Sequence, residues 1–352
     1  MTRSRARLLR ALSWGALALS VVACLAGMVR SGILLAPTDR VFVDWFTYAN
    51  AVGRFVSGHS LYAPQQLSGP YFLPDVVRAG YAYPPPSILL FMPFATYPVG
   101  LIAWTVLNVG LLLTGSFAVV RKELGRVTPA MGAAVFGGLA LYVPFTEGVA
   151  AGNINVGLAG IMAWAWVIGR SKPGIGALAG ASAMVKIVPG ALVFWSDRGT
   201  FLRTAAVALA VVVLVSVVTL PITGIQAWLD FVTALGNSQP NCSGGGVHAS
   251  LACLIEPVTG HAARSVAVVI ALAAGIAAVL TRTPTVAFAL VVAASMFPAT
   301  DGHSHSLLVL YVLLLILVAH VAETRSHRPD VAAAARTTRG SPDGLVGDPS
   351  GV

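Results

Sequence analysis

RSRARLLR at residues 3–10, followed by ALSWGALALSVVACLAGMV at residues 11–29, places four arginines ahead of nineteen residues without a charge. A helix of that length covers a hydrocarbon core about 30 Å thick. A cleaved signal peptide has a shorter apolar core and a small-residue cleavage site, so the segment predicts an uncleaved first span with its basic end held inside the cell. Further full spans are expected at about residues 98–120, 129–147, 151–169, 204–222, 263–280, 284–300 and 304–322, which makes eight and leaves both termini cytoplasmic. The fold class is an all-α polytopic membrane helix bundle. Of the 352 residues 57% are hydrophobic and 10% charged, where soluble domains carry about 25% charged residues, so a soluble globular domain is excluded. A formal charge of +9 fits basic residues gathered in cytoplasmic loops, and no nucleic-acid partner is expected.

Two apolar pieces resist assignment as straight crossings. Residues 84–98 carry five prolines inside or at their edges and are too short and too broken to span, which predicts a re-entrant or interfacial element on the outer side. Residues 173–195 have Arg170 and Lys172 before them and Arg198 and Arg203 after them. Basic flanks at both ends predict a broken hairpin that enters and leaves on the cytoplasmic side, turning near Lys186 and Pro189, although a single complete crossing is the default for such a stretch. The topology can be checked by sorting all 22 basic residues: 16 fall inside, five outside (Arg30, Arg40, Arg54, Arg78, Arg264), and Lys186 lies within an apolar segment. Reading the hairpin as a full crossing would flip every later loop and break this asymmetry. The membrane domain is expected to cover residues 1–322, and residues 323–352, with no apolar periodicity and four acids against four arginines, a disordered cytoplasmic tail. Three cysteines are too few for a disulfide scaffold; Cys24 lies inside the first span, so only Cys242 and Cys253 can pair.

This arrangement collects the chemically useful residues on the outer face: Asp39, Asp44, Tyr48 and Tyr62, then residues 81–86, 147–155 and 301–305. Ionisable groups converging at one membrane face beside apolar spans point to a site. Asp44, in VFVDWFTYANAVGRFVSGHSLY, is either a helix-capping carboxylate or a general base whose proton affinity is raised by partial desolvation. His303 and His305 sit where a loop meets the last span; two residues apart in a helix they diverge by about 200°, so one of them is expected to donate to a phosphate, against the alternative of an interfacial histidine. No third ligand sequence accompanies them, and no metal is expected. Lys186, in GASAMVKIVPG, is read as snorkelling to the cytoplasmic interface, with contact to a lipid phosphate as the alternative. The stretch 226–260, with Cys242, the glycines 244–246 and Cys253, reads as a flexible loop joining two spans. Walker A and GxGxxG sequences are missing, which argues against an ATP-driven pump or a nucleotide-sugar enzyme.

An aspartate after the first span, then SGHSLY (57–62), YAYPPPSILLFMPF (81–94), GNINVGL (152–158) and GALAGASAMVKIVPGAL (176–192), in that order, resembles the family 87 glycosyltransferases of the GT-C superfamily. The resemblance runs over roughly residues 40–320. It implies an inverting transferase, without a cofactor, that moves a mannosyl unit from polyprenyl-phosphate mannose to a glycolipid or lipoglycan acceptor on the outer face of a bacterial plasma membrane. It also implies Asp44 as the catalytic base and a histidine near the outer start of a late span. Within the GxxN element, Asn155 is the cleaner match and Asn153 stands where many members have Gln. Candidate partners for the donor phosphate or sugar are His303, His305, Tyr81, Tyr83, Arg54, Asn155 and Lys186. With no diphosphate to neutralise, the chemistry does not demand a metal. Arabinofuranose on a similar lipid carrier remains open beside mannose. A lipid or sugar transporter is the rival class, disfavoured because the candidate groups lie at one face and no inverted repeat is visible. A scaffold without chemistry is the third, and it would not need Asp44.

Overall fold

The computed structural model describes residues 3–30, 41–72, 78, 80–239, 251–259, 263–296 and 307–322. Its helices are α1 (Arg3–Val29), α2 (Val43–Val56), α3 (Pro64–Ser68), α4 (Ser87–Phe91), α5 (Val99–Leu124), α6 (Pro129–Leu141), α7 (Val143–Ala151), α8 (Asn155–Ile168), α9 (Gly174–Val185), α10 (Phe201–Asn237), α11 (Leu251–Thr259), α12 (Ala263–Leu280), α13 (Pro284–Met296) and α14 (Leu308–Ala322). Among the described residues the extended pairing is a single bridge between Tyr71 and Ser238.

Four helices, α1, α5, α10 and α12, are long and apolar enough to cross a membrane, or up to five spans if α6 and α7 are taken as one. That pair is bent by 69°. Pro144 opens α7, and Tyr142 before it is extended, because a proline ring cannot share space with a preceding helical turn. Where the sequence predicts further spans near residues 151–169, 284–300 and 304–322, the structure has the shorter apolar helices α8, α13 and α14. Much of α1 and α10 leaves leucine and valine outward, as with Leu19, 70% exposed, and Leu209, 64% exposed. Side chains of that kind suit lipid rather than water.

Hydrogen bonds between distant elements define two ends of the bundle. At the basic end the Arg170 guanidinium donates to the carbonyls of Ala278 and Thr281, both at 2.7 Å, and of Ser196 at 3.1 Å, while Lys122 donates to the Trp166 carbonyl. At the loop end Phe42 N–H donates to Ala150 O, Asn237 Nδ2 to Gln66 O, Arg264 to Leu235 O and the Tyr142 hydroxyl to Leu307 O.

Helices α5 and α8 run side by side in the same direction: Trp104 meets Gly152, Asn108 meets Gly157, and Lys122 meets Trp166. Small residues bring the backbones together, as expected where lipid offers no hydrophobic drive for helix association. A methyl group on Gly115 would stand 2.7 Å from the Gly160 carbonyl. Helices α9 and α10 pair in the same sense through Gly176 on Thr204 and Gly180 on Ala208.

Because α9 and α10 are parallel, the chain between them must return. It does so through Lys186, which is extended (φ −151°, ψ 131°), and the tight 3₁₀ segment Val188–Trp195. The contact of Arg170 with Ser196 closes the base of this turn, so residues 173–195 leave and return to the same end of the bundle. Residues 84–98 are likewise no straight span: the triple proline leads into α4 and the one-turn 3₁₀ segment Met92–Phe94, which pack under α2 with Ile88 and Phe91 buried.

The expected loop 226–260 is corrected. Helix α10 breaks at Gly224, whose φ of 76° is left-handed, and then continues to Asn237, while α11 covers Leu251–Thr259. Cys253 is disulfide-bonded; Cys242 lies outside the described residues, and Cys24 is a buried free thiol. The tail 323–352 also lies outside the described residues.

Candidate active site

Helix α2 presents Trp45, Tyr48 and Val52 at i, i+3 and i+7 to the interior, with Thr47 and Ala51 beside them. Asp44 is therefore turned to the flank of the buried face and is half-buried. The N-cap of α2 is Phe42, in the left-handed region at φ 54°, so the capping reading of Asp44 is not the one realised; the carboxylate sits in the first turn, where the helix dipole favours negative charge.

The other half of the site comes from the junction of α7 and α8. Gly152 ends α7 with φ +68°, and a methyl group there would lie 2.7 Å from Trp45 Cβ. Glycine alone meets both conditions. Its carbonyl accepts from Trp104 Nε1 at 2.8 Å, and the next residue, Asn153, donates from Nδ2 to Asp44 Oδ2 at 2.7 Å. The Asn153 Oδ1 accepts from the Asn155 backbone N–H at 2.7 Å, which satisfies a donor at the start of α8. Asn155 Oδ1 accepts from Lys186 Nζ at 2.9 Å, and that ammonium stands 5.8 Å from the centre of the Tyr83 ring. The Tyr83 hydroxyl lies 3.0 Å from the Tyr48 hydroxyl, which also accepts from Ile154 N–H at 3.3 Å. Asp44, Asn153, Asn155, Lys186, Tyr83 and Tyr48 thus form a contiguous polar chain drawn from four separate segments.

Behind this chain lies an aromatic floor. Tyr48 stacks on Phe91 with centroids 4.2 Å apart, and Trp104 meets both edge-on. Burial pushes the Tyr48 phenol well up from its ordinary value, helped by Tyr83 and the Asp44 charge, so it keeps its proton.

The sequence-derived candidates divide. Asp44, Asn155, Lys186 and Tyr83 come together. Lys186 does not snorkel to the basic end: α9 is 12 residues long, so its tip stands about 18 Å away from that end, beside the first residue of α8. Arg54 sits ten residues from Asp44, about 15 Å along α2, with its guanidinium on the carbonyls of Ser60 and Leu61. Burial lowers its pKa. Tyr81 is fully buried, its hydroxyl on Ser87 Oγ, which itself donates to Pro84 O. Burial pushes the Tyr81 phenol upward as well. His303 and His305 lie outside the described residues, as do Asp39 and Asp301.

Sequence reasoning passed over Asn153 in favour of Asn155, although an asparagine just after a left-handed glycine and just before a helix is the usual signature of a capping side chain. It also missed Gln66. This fully buried amide accepts from Ala63 N–H at 3.0 Å and Tyr81 N–H at 2.9 Å, and donates to Tyr71 Oη at 3.0 Å and Tyr81 O at 3.1 Å. It fixes the stretch that leads into Tyr83. Asp230, on the C-terminal part of α10, accepts from Ser60 Oγ and from Gln226 Nε2 and ties the SGHSLY loop to that helix. Among the described residues no cluster of three or more histidine, cysteine or acidic side chains is placed to hold a metal.

The family model for glycosyltransferase family 87 matches residues 81–300, well over half of the chain. Asn153, Asn155, Lys186 and Tyr83 fall within that match, and Asp44 precedes it. No curated protein and no solved structure matches the chain. The match, together with the apolar helices that carry the site, makes this a membrane glycosyltransferase: the chain belongs to glycosyltransferase family 87.

Proposed function

We propose that the protein transfers a mannosyl unit from polyprenyl-phosphate mannose to a glycolipid or lipoglycan on the outer face of the bacterial plasma membrane, with inversion and with Asp44 as general base. The observation that carries the reading is the hydrogen-bonded chain from Asp44 to Lys186 at the loop end of the bundle, which sets a carboxylate and a cation in one polar path. The side is argued from charge. The elements that converge on the basic end bring Arg121, Lys122, Arg170, Lys172, Arg198, Arg203 and Arg282 with them, so that end is cytoplasmic, the loop end is external, and α8, α13 and α14 complete eight crossings.

In this reaction an acceptor hydroxyl attacks the anomeric carbon from the face opposite the phosphate. The O–H proton passes to the Asp44 carboxylate, the new glycosidic bond forms, and the bond from the anomeric carbon to the phosphate oxygen breaks to release polyprenyl phosphate. Lys186, with Tyr83 and Asn155 around it, neutralises the charge that develops on that phosphate, and the chemistry of His303 or His305 suits a further donor to it. The prenyl chain stays in lipid, and the broken 84–98 element borders its path; irregular backbone at membrane depth is tolerated where protein covers it.

The test is transfer of labelled sugar from polyprenyl-phosphate mannose to membrane glycolipids by the purified protein, beside Asp44→Asn and beside polyprenyl-phosphate arabinofuranose. Transfer of mannose that falls about 10²- to 10⁴-fold in the variant is expected. Transfer of arabinose alone would overturn the donor assignment, and full activity in Asp44→Asn would overturn the base.

A further inference from the structure

We propose that Asn153 is a positioning residue for Asp44: its amide clamps one carboxylate oxygen and thereby aims the base. The inference rests on Asp44 acting as base and deepens that reading. The terminal torsion of an aspartate side chain has broad minima, so the direction of its carboxylate is set by what it bonds. Catalysis by proton removal needs it held within hydrogen-bonding reach of a single hydroxyl.

The structure supplies the restraint. Asn153 is 4% exposed, and both ends of its amide are committed: Nδ2 donates to Asp44 Oδ2 at 2.7 Å and Oδ1 accepts from Asn155 N–H at 2.7 Å. The second bond fixes which way the amide faces, since the backbone N–H at the start of α8 can only donate. Asn153 is itself immobilised, because its own N–H donates to Gly148 O at 2.8 Å in the turn that Gly152 closes on Trp45. The amide therefore registers the orientation of Asp44 against the α7–α8 junction and α2 together.

The partner of Lys186 is the Asn155 side chain, whereas the group that orients Asn153 is the Asn155 backbone. Substitution at the two positions should therefore separate two parts of the reaction. Asn153→Ala, assayed for mannosyl transfer with a short-chain polyprenyl-phosphate mannose, is expected to lower kcat about 10- to 100-fold with KM for the donor unchanged. Asn155→Ala is expected to raise donor KM. Asn153→Gln, which keeps an amide able to donate to Asp44, is expected to recover part of kcat, and it guards against misfolding of the alanine variant, which thermal melting in detergent monitors. Wild-type kcat in Asn153→Ala, or a rise in donor KM equal to that of Asn155→Ala, would overturn the proposal. So would a glutamine variant that melts as the wild type does yet is no faster than the alanine variant. Asp44→Asn, run alongside, tells this failure from failure of the base assignment, because there it is Asp44→Asn that keeps activity.

Discussion

The two lysines that contact aromatic rings make opposite uses of the same chemistry. At the basic end, Lys122 lies 5.3 Å from the Trp166 ring centre and donates to the Trp166 backbone carbonyl, while Trp166 Nε1 donates to Glu123 at 2.8 Å. Arg170 nearby lies 5.5 Å from the Trp195 ring centre and caps the last carbonyls of α12. Those cations satisfy orphan backbone groups at helix ends, and the ring packing of Trp166, Trp195 and Phe288 fills the space between them. At the loop end Lys186 also meets a ring, but its bond goes to the Asn155 side chain in a path that leads to a carboxylate. A backbone carbonyl has a fixed place in the fold, whereas a side-chain amide can exchange its partner for a ligand. The first arrangement holds helices, and the second is suited to a reaction.

Substitutions can break that comparison. Lys186→Met should lower transfer about 10²-fold, as loss of one group stabilising developing negative charge does, with little change in melting temperature; a pure stability loss would show that Lys186 is another helix clamp. Gln66→Leu should destabilise by about 3 kcal/mol, read by thermal unfolding in detergent, because it strands two buried N–H groups and a carbonyl and unlocks the approach to Tyr83. Gly152→Ala should cost about 2 kcal/mol from the left-handed backbone and the contact with Trp45, and should lower kcat by moving Asn153 away from Asp44. The smallest effect belongs to the basic end. Lys122→Met should cost about 1 kcal/mol of stability with transfer per folded molecule unchanged, and a drop in kcat would show that the two ends are coupled.

The long apolar helices were legible from length and composition, and the basic flanks of residues 173–195 pointed to a segment that turns back on itself. Asp44 drew notice through its setting among aromatic residues after the first span, but its contact was not legible. Asn153 is 109 residues away in sequence and reaches Asp44 through the 69° bend at Tyr142 and a left-handed glycine, neither of which has a hydrophobic period. The continuation of α10 was hidden for the opposite reason. Pro221 and Gly224 look like a stop, yet the chain resumes its helix because Asp230 and Asn237 dock on Ser60 and Gln66. Gln66 lies in a stretch whose polarity reads as solvent-exposed, and only the fold shows that four main-chain and tyrosine groups close around it.

The hairpin at 173–195 also bears on how the protein is made. It feeds its cation to the site from the far side of the bundle, and its base is latched by Arg170 to Ser196. The Arg170–Ser196 latch joins residues only 26 apart in sequence, so this out-and-back piece can close on itself as soon as it is made, before the helices that follow it.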